Sequence, residues 1–193
     1  MRPSLSTPRL TLFPLAESDL GALHALWTDA DVRRYLCDDK IVSLEQSRQW
    51  LAVSTRGFAE RRFGLWGLHD AAGGPLIGFC GCRDWSTGEP ELMYGLWPAW
   101  WGRGLATEAA QAVLEYVFEV LGHPVMMAAT DPPNVASIRV MERLGMVFDW
   151  RGEMHGLDTL VYRLSRERWR RHRVVSDNLY GVDIMEEACE IAK

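Results

Sequence analysis

The sequence predicts an α+β domain: a mixed, mostly antiparallel twisted sheet of about six or seven strands, flanked by about four helices and followed by a C-terminal extension. Three observations carry this. A chain of 193 residues, 48% hydrophobic and 24% charged, fits one globular domain with a sizeable core. Runs with period-2 apolar alternation and runs with helical apolar periodicity succeed one another with only short turn-forming stretches between them. In the middle of the chain three strand-like runs follow directly, joined by tight turns, and such short connections are possible only between antiparallel strands.

In order, "RLTLFPL" (Arg9 to Leu15) alternates as a strand does. "ESDLGALHALWTD" then offers Ser18 as an N-cap, with Leu20, Leu23 and Trp27 on one helical face. "SLEQSRQWLAVSTRGFAERR" repeats the logic, with Ser43 as cap and Gln46 in the capping-box position, so the first part of the chain reads as one strand and two helical segments. The meander comprises Phe63 to His69, Pro75 to Trp85 and Glu89 to Trp97, with turns at Asp70 to Gly74 and at Thr87-Gly88. A helix from Leu105 to Leu121 turns Ala106, Ala110, Val113, Val117 and Leu121 inward and Glu108, Gln111, Glu115 and Glu119 to water, and Gly122 ends it. A strand at Val125 to Thr130, a helix from Asn134 to Gly145 and a hairpin complete a domain over residues 1–165.

Residues 166–193 read as a helical and acidic extension: "RERWRRHR" (Arg166 to Arg173), then Asp177, Asp183, Glu186, Glu187 and Glu190. A solvated helix and a neutralising acidic tail is the plain reading, and phosphate or RNA contact by the arginines the alternative. No run of 18 apolar residues and no apolar signal-peptide core is present, which predicts a cytoplasmic protein without membrane contact. The four cysteines, Cys37, Cys80, Cys82 and Cys189, form no CxxC pair and have no histidines at ligand spacing, so free thiols and no metal are expected. The net charge of -5 argues weakly against nucleic acid and leaves room for a cationic substrate.

The chemistry points to "WPAWWGRGLATEA" (Trp97 to Ala109). A helix begins with backbone N–H groups that lack intrahelical partners, and its dipole adds about half a positive charge there, so anions bind. Gly102 and Gly104 carry no side chain to block approach, and the amides of about Gly102 to Ala106 can wrap a phosphate or pyrophosphate. Rival phosphate loops lack their marks, for there is no GxxxxGK[ST], and GRGLA follows an antiparallel meander rather than opening a parallel βαβ unit.

"YGLWPAWWGRGLATEA", followed some thirty residues on by "NVASIRVMERLGM", resembles the acetyl-coenzyme A binding core of the GNAT acyltransferase superfamily. "TPRLTLFPLAESDLGALHALWTDADVRRYL" resembles the opening of its branch of ribosomal-protein N-terminal acetyltransferases, so the likeness spans about residues 7–164. It implies acetyl-coenzyme A as co-substrate, with the turn Trp101, Gly102, Arg103, Gly104, Leu105, Ala106 and Thr107 at its phosphates. Trp101 stands where the family pattern has Arg or Gln. The pantetheine arm is implied to bond backbone near Leu96 and Pro98, where the strand splays and Gly95 eases the bend, and Asn134 caps its helix and adds a contact to that arm.

Acyl transfer to an amine needs a neutral nucleophile, a stabilised oxyanion and a protonated leaving thiol. The resemblance places the N–H of Leu96 or Trp97 at the thioester carbonyl. Glu91 is the expected base, directly or through a water, with Asp84 and Glu89 as alternates. Met141 stands where many members have a proton-donating tyrosine, which leaves Ser137 as the candidate acid. Glu108 favours the helix dipole and takes no catalytic part. Trp85, Trp97, Trp100 and Trp101 are expected around the cleft, or in core packing or a homodimer contact, and His155 near the acceptor. The implied activity is N-acetyltransfer to a primary amine, first a protein or peptide N-terminus. Polyamines, amino acids and aminoglycosides remain alternatives, as does a non-catalytic acyl-coenzyme A binding module.

Overall fold

The structure is a computed structural model and describes residues 3–174. Eight strands form one sheet in the order β1-β2-β3-β4-β5-β6-β8-β7, where β1 is Leu5–Ser6, β2 Leu10–Pro14, β3 Leu65–Asp70, β4 Gly78–Asp84, β5 Pro90–Leu96, β6 Val125–Thr130, β7 Val147–Met154 and β8 Leu157–Ser165. The helices are α1 (Leu20–Thr28), α2 (Ala30–Leu36), α3 (Leu44–Glu60), α4 (Leu105–Glu115), α5 (Val135–Arg143) and α6, residues 166–174. Every neighbouring strand pair is antiparallel except β5 and β6, which are parallel and share a single paired position, Glu91 with Met127.

Strand alternation sends side chains to two cores. On one face Leu92, Met126 and Leu164 meet Val113 of α4 and Met141 of α5. On the other Leu65 and Phe79 meet Leu23, Leu26 and Trp27 of α1. Trp66 and Leu65, or Cys80 and Phe79, are sequence neighbours that serve opposite cores. Cys80 and Cys82 are core residues: both thiols are buried, and burial pushes both far above an ordinary thiol.

Local signals explain most boundaries. Ser43 Oγ accepts from Gln46 N–H at 3.1 Å and opens α3, and Asn134 Oδ1 accepts from Ser137 N–H at 3.2 Å and opens α5. α1 corrects the expectation. Its chain enters through a 3-10 turn, Glu17–Asp19, in which the Asp19 carboxylate reaches back to the Ala16 N–H at 2.8 Å, so Ser18 sits inside the turn and caps nothing. The strand and helix totals also exceed expectation, because the two-residue β1 is too short for periodicity to show and because α2 has its own cap, Asp29, accepting from the N–H groups of Asp31 and Val32. α4 continues as a π-helical segment, Tyr116–Val120, which buries Tyr116, Val117 and Phe118 in succession before Gly122 at φ +77°.

Residues 166–174, expected as part of an appended extension, belong to the body: Trp169 joins the main core. Their arginines are engaged by the domain. Arg166 and Arg168 donate to the carbonyls of Gly122 (3.3 Å) and Gly145 (2.8 Å), beyond the ends of the α4 segment and α5. Arg170 pairs with Glu119 at 2.8 Å and Arg173 with Glu115 at 3.2 Å. The acidic stretch and Cys189 lie outside the described residues.

Candidate active site

The one parallel neighbour relation in the sheet creates a gap. β5 and β6 pair only at Glu91 and Met127, and toward the C-terminal end of β5 they part into a cleft of about 930 Å³. Antiparallel partners alternate between exchanging main-chain bonds and pointing theirs outward. Trp97 N–H donates to Ile77 carbonyl at 3.0 Å, so it belongs to the β4 ladder. By that alternation the N–H of Leu96, and of Tyr94 two residues earlier, faces the gap. Of the two expected oxyanion donors Trp97 is therefore excluded: its amide is consumed, and its ring packs toward the α1 core rather than lining the cleft.

At the same end of the cleft the phosphate turn leads into α4. Gly102 (φ +73°) and Gly104 (φ +74°) both adopt the left-handed backbone region that favours glycine. Among the described residues no hydrogen bond is donated by the main-chain N–H groups from Gly102 through Thr107, and α4 has no side-chain cap. The buried Thr107 hydroxyl also has no partner there. Open amides, glycines that leave them accessible, and an orphan hydroxyl in the first helical turn fit a diphosphate. Arg103 points away, its guanidinium 5.0 Å above the Trp100 ring.

Arg9, Glu108 and Trp101 brace this turn, and sequence reasoning gave none of them that task. Glu108 accepts from Thr7 Oγ1 (2.6 Å), Arg9 N–H (3.0 Å) and Arg9 Nε (2.6 Å), while Arg9 NH1 donates to Arg103 carbonyl at 2.9 Å. Burial raises the Glu108 carboxyl, but the bonds from Thr7 and Arg9 outweigh it and hold the group below its ordinary value. Trp101 folds back, its indole donating to Leu96 carbonyl at 2.7 Å and its main-chain N–H to Pro98 carbonyl at 3.1 Å. At Leu96 and Pro98, where the pantetheine arm is expected to bond backbone, the carbonyls thus already accept from Trp101. Leu96 keeps a free N–H, whereas Pro98 has none and does not line the cleft.

The rest of the cleft lining mixes apolar and charged side chains. Tyr35, Leu36, Val42, Trp50 and Met93 form an apolar wall, and Asp31, Asp38, Asp131 and His155 stand around it. Burial, reinforced by the negative charges of Asp38 and Asp158, raises the Asp131 carboxyl above its ordinary value. Glu91 lines the cleft and is only 4% exposed, but both its oxygens accept from Arg83, its partner across the β4–β5 ladder. The alternates do not reach the cleft: Asp84 pairs with Arg61 at 2.7 Å, and Glu89 bonds Thr87 at the turn. Trp85 lies in a separate small core. Ser137 lines the cleft from α5, with Oγ 2.7 Å from the Tyr94 hydroxyl, and Met141 one turn on is fully buried.

A splayed parallel strand pair facing an amide-lined helix start defines a transferase that draws an acyl group from a coenzyme A thioester. Residues 9–147 match the acetyltransferase (GNAT) domain, and the chain belongs to that family of acetyl-coenzyme A dependent N-acyltransferases. Among curated relatives, the uncharacterized protein YkkB of Bacillus subtilis is 33% identical over 149 residues, 75% of this chain and 86% of that one. The spermidine N(1)-acetyltransferase of Escherichia coli is 27% identical over 149 residues, 77% of each chain. An acetyltransferase structure from Agrobacterium tumefaciens, 28% identical, superposes with a TM-score of 0.73 over 84% of this chain and 94% of that one. The ribosomal L7/L12 alpha-N-protein acetyltransferase RimL, in complex with coenzyme A, shares the fold at 15% identity, with a TM-score of 0.72 over 84% and 98% of the chains. Among the described residues no helix is long and apolar enough to cross a membrane, and no group of three His, Cys, Asp or Glu could hold a metal.

Proposed function

We propose that the enzyme acetylates the α-amine of a polypeptide, with Glu91 receiving the proton through a water and Ser137 facing the leaving thiol. The observation that supports this acceptor is the Arg83–Glu91 pair. It leaves the one buried carboxylate of the cleft with both oxygens already accepting. An α-amine of pKa about 8 is roughly one-tenth neutral at pH 7, whereas a lysine-like amine of pKa about 10.4 is neutral in only about one molecule in several thousand. A base so engaged suits the amine that needs it least. The acetyl group comes from the thioester. The chain's own part is to hold the diphosphate on the turn amides from Gly102 to Thr107 and point the Leu96 N–H at the carbonyl where charge develops.

A second reading is favoured by Asp31 and Asp131 in the cleft lining, whose carboxyl groups suit the distal ammonium of a polyamine, while Asp38 there is already paired with Lys40 at 3.5 Å. A coenzyme A release assay separates the two. Peptides with free α-amines are expected to turn over at neutral pH, and the same peptides with blocked N-termini are not. Preference for spermidine over every peptide would refute the α-amine reading, and no release with any amine would refute transferase activity at this cleft.

A further inference from the structure

The Tyr94 side chain leaves β5 on the face toward α5 and places its hydroxyl 2.7 Å from Ser137 Oγ, a contact in which either group can donate, and 3.2 Å from the Ser137 carbonyl, the longer of its two possible acceptors. The bridge joins two walls of the cleft that are 43 residues apart in sequence, in the region where the strands have already parted. Both residues line the cleft. The phenol is half-buried, and desolvation pushes its pKa well above that of a free tyrosine, so it remains an O–H donor throughout the working range. Met141, on the same face of α5 one turn beyond, offers no proton.

We infer that Tyr94 is a positioning residue for the leaving-group step: by donating to Ser137 Oγ it frees the Ser137 hydroxyl hydrogen to point into the cleft at the departing sulfur. A serine hydroxyl alone rotates, and its hydrogen can serve the helix carbonyl one turn back instead. A fixed donor behind it removes that choice, and the two hydroxyls in series polarise one another, so the outer O–H is the stronger donor to an anion. The bond balance is simple. The C–N amide bond forms, the C–S bond breaks with its electron pair passing to sulfur, the amine nitrogen gives up one proton, and sulfur finally holds one, leaving both hydroxyls as they began. Tyr94 therefore touches the chemistry only through Ser137.

This inference rests on Ser137 facing the leaving thiol, and the test keeps the two claims apart. Tyr94→Phe, Ser137→Ala and the double variant are compared with the wild-type chain in steady-state kinetics, with thermal melting as the control for folding. Tyr94→Phe is expected to lower kcat about tenfold with the KM for acetyl-coenzyme A unchanged, since a hydrogen bond that strengthens only as charge develops acts on kcat. In the Ser137→Ala background the same change is expected to have no further effect. If Ser137→Ala is impaired but Tyr94→Phe is not, or if the two losses multiply, Tyr94 does not act through Ser137 and the inference fails alone. If Ser137→Ala keeps full kcat, the assignment of Ser137 falls and the inference with it. Should Tyr94→Phe melt far below the wild type, Tyr94→His, which retains a donor on an aromatic ring, takes its place, and recovery of less than half the lost kcat relative to Tyr94→Leu would overturn the inference.

Discussion

Glu108 lies away from the reacting atoms, yet its removal is expected to weaken both the fold and coenzyme A binding. Its side chain is only 15% exposed and accepts three hydrogen bonds, from Thr7 Oγ1, Arg9 N–H and Arg9 Nε. Hydrogen bonds to a charged acceptor contribute about 1.5–3 kcal/mol each when well shielded. The Arg9 side chain is 53% exposed, so its ion pair is screened and contributes no more than about 1 kcal/mol. Water can also replace part of what the main-chain N–H loses. Glu108→Ala should therefore cost about 2–3 kcal/mol, and at about 2–4 °C per kcal/mol for a chain of this size the melting temperature falls by about 4–12 °C. Glu108→Gln keeps an acceptor oxygen and should cost about half as much. Arg9 also holds the Arg103 carbonyl, so a loosened Arg9 releases the phosphate turn, and the Kd for acetyl-coenzyme A should rise about tenfold. The pH dependence has a definite sign. The folded carboxyl is held below its ordinary value, so its stabilisation is complete above the unfolded pKa of about 4.3 and is lost as pH falls through the folded value. Melting followed by circular dichroism should show wild type and Glu108→Ala well separated at pH 7 and converging under strong acid. Equal melting at pH 7, or a gap that persists undiminished in acid, would refute the role of the carboxylate, and calorimetry showing unchanged acetyl-coenzyme A affinity would refute its link to the turn.

Gly104→Ala meets no obstruction, the nearest atom to an added Cβ being Arg9 NH2 at 3.7 Å, so its cost is the left-handed backbone at φ +74°, about 1–2 kcal/mol. The methyl would stand among the open amides, and calorimetry should show acetyl-coenzyme A binding weakened at least tenfold; unchanged affinity would mean that the diphosphate lies elsewhere. Trp101→Phe removes the 2.7 Å bond to Leu96 carbonyl, which should cost about 1 kcal/mol of stability. Because that carbonyl is then freed, the KM for acetyl-coenzyme A should stay level or fall, and a rise of tenfold would show that the indole itself grips the ligand.

What could be read from the sequence was what depends on near neighbours. The open-amide turn before α4 was legible because two glycines before a helix fix their amides locally, and the caps at Ser43 and Asn134 were legible for the same reason. Facts that depend on strand register were not. One had a usable signal: a hairpin closing at Thr87-Gly88 sets Arg83 across from Glu91, a pairing that foretells an occupied carboxylate. The Tyr94–Ser137 bridge and the Arg9–Glu108 brace had none, since each joins segments whose meeting is decided by the whole sheet order.

Register also explains why the site lies where it does. An antiparallel ladder spends alternate N–H groups on each neighbour, so an interior strand such as β5 has free donors only where one neighbour withdraws. β6 withdraws because it runs parallel to β5 and pairs with it at one position alone, which exposes the outward-facing amides of Tyr94 and Leu96 beside the unpaired start of α4. A thioester needs donors for its phosphates at one end and for its carbonyl at the other. On the proposed reading both sets come from main chain, so side-chain substitution can tune them but cannot remove them. On the same reading, that leaves proton handling to side chains, chiefly Glu91 with its Arg83 partner and Ser137 with Tyr94.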